Sequence, residues 1–489
     1  MKRKTALILC AAGGLLAVAA ILTPKTNSQT NLVPNATAVE PDTSSPAPHM
    51  CSGEAEPAKS SARFSGGDLS VALSSQKLLK DSSGEVFLAV DLLAKVQKQT
   101  EQRPPLSLAI VIDRSGSMSG DKLDQAKRAA VGLVERLSSQ DRVAVVQYDD
   151  SAQLVLPSIS MDTVGKTRAR AMINRLSAGG GTNLHDGMAL GRNAVFGKTS
   201  EGRLNRVILL SDGNANAGIT DLPTLNRVAS RAAERGVRLT TVGLGLDYNE
   251  DLMESLAEHG RGQYYYVQDA VSLKTVFKGE LQDIQATVAT NAEIRLVPAC
   301  SGVEIVEVYG YHTTRDGNGV VIRMADIAGG DKRKLVARVR VPAGKLGTVN
   351  VARVLMSYDD ADSRGRKTAE LAVGVEISAD AKAVDQSADK RVVAAAMEVH
   401  SARALRQAAQ AYKTGDVARA TRINRQWRAQ AEKTASKYDL PQEESEALLM
   451  ELDVQDDGMR RYAPSSSHGK SMIKGDKAKA RQMFKRKKK

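Results

Sequence analysis

An aspartate and two serines at alternate positions, Asp113, Ser115 and Ser117, stand at the end of the apolar run from Leu108 to Ile112. One carboxylate and two neutral hydroxyls converging from a tight loop suit a hard divalent cation. Mg2+ takes oxygen ligands in octahedral geometry and keeps several waters. Gly116 frees the backbone to turn sharply enough to aim both serines at one point. Alone, Asp-x-Ser-x-Ser is a weak pattern that reads equally well as an Asp/Ser turn capping the next helix. Two other stretches add oxygens of the same kind. The run Gly179-Gly180-Gly181 presents the hydroxyl of Thr182, and Ser211-Asp212-Gly213 closes a second apolar run, Val207 to Leu210, with a carboxylate.

The elements that must position these groups are legible from periodicity. The strand before Asp113 is buried in type, and Leu123, Ala126, Ala130, Leu133, Val134 and Leu137 recur at helical spacing after it. A loop between a parallel strand's carboxyl end and a helix is where open α/β sheets place ligands. Across residues 105–285 strands alternate with helices. Strands are predicted at 106–112, 142–148, 153–159, 206–210, 238–243 and 264–267, and helices at 122–137, 164–176, 184–195, 222–235, 250–259 and 272–284. Such alternation argues for a mostly parallel sheet covered on both faces, an α/β layer.

Together the three motifs resemble the metal-ion-dependent adhesion site of von Willebrand factor type A domains, with every ligand position filled: Asp113, Ser115, Ser117, Thr182 and Asp212. The resemblance implies the doubly wound, Rossmann-like type A fold with the site at one edge of its sheet. It further implies that Ser115, Ser117 and Thr182 touch Mg2+ (or Mn2+ or Ca2+) through hydroxyls, while Asp113 and Asp212 hold the ion directly or through water. One position would be left to water, which an exposed Asp or Glu of a protein partner replaces. The chain as a whole resembles bacterial exported type A proteins of YfbK-like and inter-alpha-trypsin-inhibitor-heavy-chain-like architecture.

In those proteins the type A domain is inserted in a split sandwich, and the flanking sequence here fits that plan. Residues 64–104 read as two strands, 69–73 and 85–92, too few to fold alone. Residues 286–379 read as strands joined by polar turns such as Arg315-Asp316-Gly317-Asn318-Gly319, an antiparallel β-sandwich that the early strands are expected to join. The plainer alternative is a sandwich that simply follows the α/β layer. Residues 380–457 read as a helical hairpin turning at Lys413-Thr414-Gly415-Asp416, and 458–489 as a basic, disordered tail.

With 489 residues and 42% hydrophobic content, the chain can hold two or three domains. Lys2, Arg3 and Lys4 followed by the apolar run from Ala6 to Leu22 make residues 1–23 an export signal, with Ala17-Val18-Ala19 as a cleavage site, or an uncleaved N-terminal anchor. Either reading puts the body of the protein outside the cytoplasm: periplasmic, on the cell surface or secreted. Residues 24–63, rich in Ser, Thr, Pro, Ala and Asn, read as a disordered linker. Beyond Cys10 in the signal, the cysteines are Cys51 and Cys300, which an oxidising compartment permits to pair.

Catalytic arrangements are not evident. His49, His185, His259, His312, His400 and His468 are scattered with no His-Glu-x-x-His pair. Gly165-Lys166-Thr167 and Gly197-Lys198-Thr199 lack the first glycine of a phosphate loop, because Ser160 and Arg192 stand there. His185, close to Thr182, reads as a rim residue. The expectation is therefore a non-enzymatic, metal-dependent protein-binding module for adhesion or assembly, touching the membrane only through its N-terminus. The alternative is a regulatory or scaffold subunit of an envelope or ATPase-linked complex, against which the export signal speaks. The net charge of +13 is concentrated at the end of the chain, where Lys477 to Lys489 offer an anionic surface unspecific attraction. With Phe484 alone interleaved, no base-stacking platform and no specific nucleic-acid binding is expected.

Overall fold

The computed structural model describes residues 55–96, 104–196, 202–212, 214–246, 248–267, 272–363 and 365–485. The expected signal or anchor, most of the linker, Gly213 and the last four basic residues lie outside the described residues. The described chain opens with strands β1 (Lys59–Phe64), β2 (Gly67–Leu73), β3 (Lys77–Leu79) and β4 (Glu85–Ala94). The α/β layer follows: β5 (Leu106–Asp113), α1 (Asp121–Glu135), β6 (Arg142–Tyr148), β7 (Ala152–Ser160), α2 (Thr163–Asn174), α3 (Leu184–Phe196), β8 (Leu204–Ser211), α4 (Leu222–Glu234), β9 (Val237–Leu244), α5 (Glu250–His259), β10 (Arg261–Val267) and α6 (Ser272–Gln285). Then come β11 (Thr287–Pro298), β12 (Glu304–Val308), β13 (Thr313–Asp316), β14 (Gly319–Arg323), β15 (Ile327–Ala328), β16 (Lys332–Arg340), β17 (Gly347–Asp360) and β18 (Arg366–Ser378). The chain closes with α7 (Ala381–Gln386), α8 (Lys390–Lys413), α9 (Val417–Lys437), α10 (Gln442–Arg461) and α11 (Ser467–Lys485).

The central sheet has the order β10-β9-β8-β5-β6-β7, and among its pairings only β6 with β7 is antiparallel. Strand β5 shows why it is covered on both faces. Its side chains alternate with period two. Leu106, Leu108, Ile110 and Ile112 join the core under α1, α2 and α6, while Ala109 and Val111 join the core under α3, α4 and α5. The second face is the tighter one: a Cβ on Gly191 of α3 would lie 2.4 Å from a methyl of Val111. That close approach seats the start of α3 beside the carboxyl end of β5. The chain leaves β5 to one side, toward β6, and returns on the other, at β8, so β5 and β8 bracket the topological switch point where doubly wound sheets bind ligands.

Two sheets, antiparallel but for one edge pairing, pack beside this layer and share one core. One has the order β1-β2-β4-β16-β12, and the other runs β13-β14-β11-β17-β18-β3, with β15 pairing β11. Strands from before the α/β layer thus pair with strands from after it: β4 runs along β16 from Glu85↔Arg340 to Lys332↔Leu93, and β3 runs parallel to β18. Residues assigned to the linker need correcting, since Lys59–Phe64 is strand β1, paired with β2 from Lys59↔Ala72 to Phe64↔Gly67. Its residues are too polar to announce a strand, but an edge strand is held by main-chain hydrogen bonds rather than by its side chains.

The C-terminal readings also change. The hairpin around Gly415 is α8 and α9, but α10 and α11 pack with them, so a helical bundle replaces the hairpin. The expected disordered tail is largely α11. Ile473, Ala480 and Phe484 are buried on one side of it, and its charges are matched: Lys474 and Lys477 reach Glu250, Lys477 also reaches Asp251, and Arg481 reaches Glu254, all on α5. Composition alone reads a lysine-rich segment as solvated because the acidic partner lies more than two hundred residues away. Among the described residues no helix is long and apolar enough to cross a membrane.

Candidate metal centre

Asp113 ends β5 with no exposed surface. Its carboxylate is held from several directions: Oδ1 accepts the Ser115 N–H at 2.9 Å, and Oδ2 accepts the Ser211 hydroxyl at 2.7 Å. The hydroxyl of Tyr148, at the end of β6, lies 3.1 Å from the Leu210 carbonyl and 3.4 Å from Asp113 Oδ2. Burial raises the Asp113 carboxyl above its ordinary value, the Ser115 and Ser211 hydrogen bonds oppose that rise, and neighbouring Asp212 adds to it. Nearby positive charge is what such a carboxyl needs to stay ionised.

The first loop makes a short 3-10 turn, Gly116–Met118, plugged by the buried Met118. Ser115 Oγ and Ser117 Oγ lie 3.1 Å apart, and Ser117 donates to Asp212 Oδ1 at 2.7 Å, joining the first loop to the one after β8. The glycine turn is tied on by its backbone. Gly116 N–H donates to the Gly180 carbonyl at 3.0 Å, and Gly179 N–H donates to the Arg114 carbonyl at 2.7 Å. Thr182 N–H donates to Asn216 Oδ1 at 2.8 Å, and the Thr182 carbonyl accepts the Asn216 N–H at 3.2 Å, which ties this turn to the loop after β8 as well. Gly180 has φ +79°, and a Cβ there would crowd the Asp149–Asp150 turn at 2.8–2.9 Å, so the glycine is required by both conformation and space.

All five predicted residues therefore sit on three loops that hydrogen-bond to one another at the carboxyl ends of β5 and β8. Four participants escaped the sequence reading. Ser211 and Tyr148 orient Asp113, Asn216 holds Thr182, and Lys122, at the start of α1, places its ammonium on Asp212 Oδ2 and 3.2 Å from the Ser117 carbonyl. Each comes from another strand or turn, and its residue type alone carries no signal. His185 is not drawn into the cluster; its Nδ1 lies 2.8 Å from Asp186 Oδ1.

The donors are all oxygens, two carboxylates and three hydroxyls, which is the chemistry of a hard divalent cation. An ammonium already rests against two of these oxygen-bearing residues, so a cation is accommodated among them. Among the described residues no group of three or more His, Cys, Asp or Glu is arranged to hold a metal, so a site here depends on its hydroxyls.

Residues 107–279, which span all three loops, match the family profile of the von Willebrand factor type A domain. Residues 107–279 are a von Willebrand factor type A domain. Type A domains are generally protein-interaction modules and commonly bind a divalent metal. The chain is 35% identical over 217 residues to the YfbK protein of Escherichia coli K12, a match covering 44% of this chain and 37% of that one. It is 29% identical over 304 residues to the sll0103 protein of Synechocystis, covering 60% and 71% respectively. Human inter-alpha-trypsin inhibitor heavy chain H4 is 30% identical over 161 residues, 31% of this chain and 17% of that one. The chain thus spans well under half of the length of YfbK and of H4. Among solved structures, a von Willebrand factor type A protein from Catenulispora acidiphila superposes with a TM-score of 0.66 at 18% identity, covering 88% of this chain and 97% of that one. The ArnB paralog VWA2 from Sulfolobus acidocaldarius gives 0.55 at 18%. Both cover the flanking layers too, so the α/β layer with its additional antiparallel strands and helices is a fold shared with these two structures.

Proposed function

We propose that this type A protein is a non-enzymatic, divalent-cation-dependent protein-binding module acting outside the cytoplasm. Asp113, Ser115, Ser117, Thr182 and Asp212 hold Mg2+, with Mn2+ or Ca2+ as substitutes, and the partner contributes an Asp or Glu. The observation that carries the reading is the cross-linking of the three loops, above all the Ser117 to Asp212 hydrogen bond. When bound, the ion supplies an electrophilic centre that an outside carboxylate can join. The protein's part is to hold its oxygens still and to leave that centre electron-poor. Ser211, Tyr148 and the Ser115 N–H fix the rotamer of Asp113, and Asn216 fixes the turn that carries Thr182. Three of the five donors are neutral hydroxyls, weaker donors than carboxylates, so the ion keeps its appetite for an outside carboxylate.

Two features support export. Residues 1–23 read as a signal or anchor, and Cys300 is disulfide-bonded; disulfides persist in oxidising compartments.

Calorimetric titration with MgCl2 tests the metal. The wild-type chain is expected to take up one equivalent and to gain thermal stability. At a hundredfold excess over Kd, a ligand specific to the folded state adds about 2.7 kcal/mol. Asp113→Ala and Thr182→Ala are each expected to weaken uptake at least about tenfold, equivalent to about 1.4 kcal/mol, with the circular dichroism spectrum unchanged. A wild-type melting curve that neither Mg2+ nor Mn2+ moves would refute the proposal.

A further inference from the structure

Lys122 is not among the proposed ligands, yet its ammonium is placed where a cation matters most. It contacts Asp212 Oδ2 and the Ser117 carbonyl, so the first and third loops share one positive charge. The Asp212 side chain is fully buried, while that of Lys122 is 39% exposed. The carboxylate is therefore fixed, and the cation that meets it stands on a flexible stem open to solvent.

We propose that Lys122 is a built-in counter-cation that exchanges with the divalent ion. Without the ion it neutralises Asp212 and keeps the loops assembled; when the ion enters, the ammonium leaves, so this lysine sets the protein's affinity for the ion. The inference rests on the metal reading above. Charge balance requires the exchange. With both ionised, Asp113 and Asp212 bring two negative charges, which a divalent ion cancels. An ammonium staying beside them would leave a net positive charge in a buried site and two cations in contact, a repulsion that low dielectric makes severe.

The stem also has room on one side. Gly245, at φ +76°, carries no side chain, and a Cβ there would lie 3.6 Å from Lys122 Cε and 3.9 Å from Nζ. Next to it, Leu246 and Asn214 line a cleft of about 810 Å3 between the α/β layer and the C-terminal helices. Asn214 is two residues beyond Asp212, so one wall of the cleft continues the loop after β8.

A lysine with a merely structural role and one that exchanges with the ion predict opposite signs. If Lys122 only braces the loops, removing it disorders the site and weakens ion binding. If it competes with the ion, removing it strengthens binding.

Mg2+ and Mn2+ titrations of the full chain, wild type against Lys122→Met, measured by calorimetry at constant ionic strength, decide between them. The expected result is binding at least about tenfold tighter in Lys122→Met. With EDTA that variant should melt below wild type, because Asp212 has lost its counter-charge, and the gain in melting temperature on adding Mg2+ should be larger than in wild type. Lys122→Arg, which keeps the charge, should not show the tighter binding and serves if Lys122→Met fails to fold without an ion. Equal or weaker ion binding in Lys122→Met, with wild type binding normally, overturns the exchange and leaves the metal reading intact. Absence of binding to either protein overturns the metal reading and the exchange with it.

Discussion

Asp326→Ala is expected to destabilise the chain by about 3–5 kcal/mol, read as a lowered denaturation midpoint, because it strands two buried guanidiniums. Asp326 lies in the turn between β14 and β15, with its side chain 9% exposed. Arg206 near the start of β8 donates Nη2 to its Oδ2, and Arg238 near the start of β9 donates Nε to its Oδ1 at 2.9 Å. Burial alone would raise the Asp326 carboxyl, but Arg238 and Arg206 more than offset it and hold it below its ordinary value; burial in turn lowers the Arg206 guanidinium. These ions join the sandwich to the amino ends of the central strands, the opposite end from the three candidate loops, which is how an inserted layer can be anchored firmly without obstructing them. Removing one partner is costly, whereas replacing the whole set by apolar groups can be nearly neutral. The triple variant Arg206→Met, Arg238→Met, Asp326→Leu should therefore lose much less than Asp326→Ala. A loss under about 1 kcal/mol for Asp326→Ala, the level of an exposed ion pair, would show that the anchor is not buried in solution.

Glu250→Ala should free α11 from the α/β layer. Glu250 begins α5 and receives Lys413, Lys474 and Lys477 at 2.7–2.9 Å. Burial would raise its carboxyl, but the hydrogen bonds from Lys413, Lys474 and Lys477 outweigh burial and hold it well below the usual carboxylate range. Lys474 and Lys477 are each 5% exposed and carry most of the expected loss, again about 3–5 kcal/mol. Lys413 is 40% exposed and adds little, and Lys477 keeps Asp251 as a partner. Because the Glu250 carboxyl is depressed in the folded chain, its contribution is complete above its ordinary value of 4.5 and is lost as pH falls below that toward the folded value. Trp427, the single tryptophan, packs in the same cluster as Met483 and Phe484 of α11, so its fluorescence should report acid release of the helix in wild type. In Glu250→Ala the signal should already be shifted at neutral pH. A wild-type signal that stays unchanged as pH falls from about 5 to about 2 would contradict this assignment.

Asp113, Ser115, Ser117, Thr182 and Asp212 are carried by strand-loop-helix segments whose periodicity and glycines lie within a few residues of each, so short windows place them at strand ends and outline the alternating α/β layer around them. Where a side chain's role depends on a distant partner, short windows were silent. Strand β1 has no apolar alternation, and it is a strand because β2 offers it a hydrogen-bonding edge. Helix α11 has the composition of a solvated tail, and it is a helix because its lysines meet the acids of α5.

The sequence by itself determined the donor chemistry, the order of the three loops and the class of layer that presents them, since these follow from residue type and local spacing. Only the tertiary structure decided that Ser211 and Tyr148 orient Asp113, that Lys122 meets Asp212, and that Asp326 and Glu250 fasten the neighbouring layers. Hydrogen bonds and ion pairs gain their strength from burial and from meeting at about 3 Å, and neither condition exists until residues far apart along the chain are folded together.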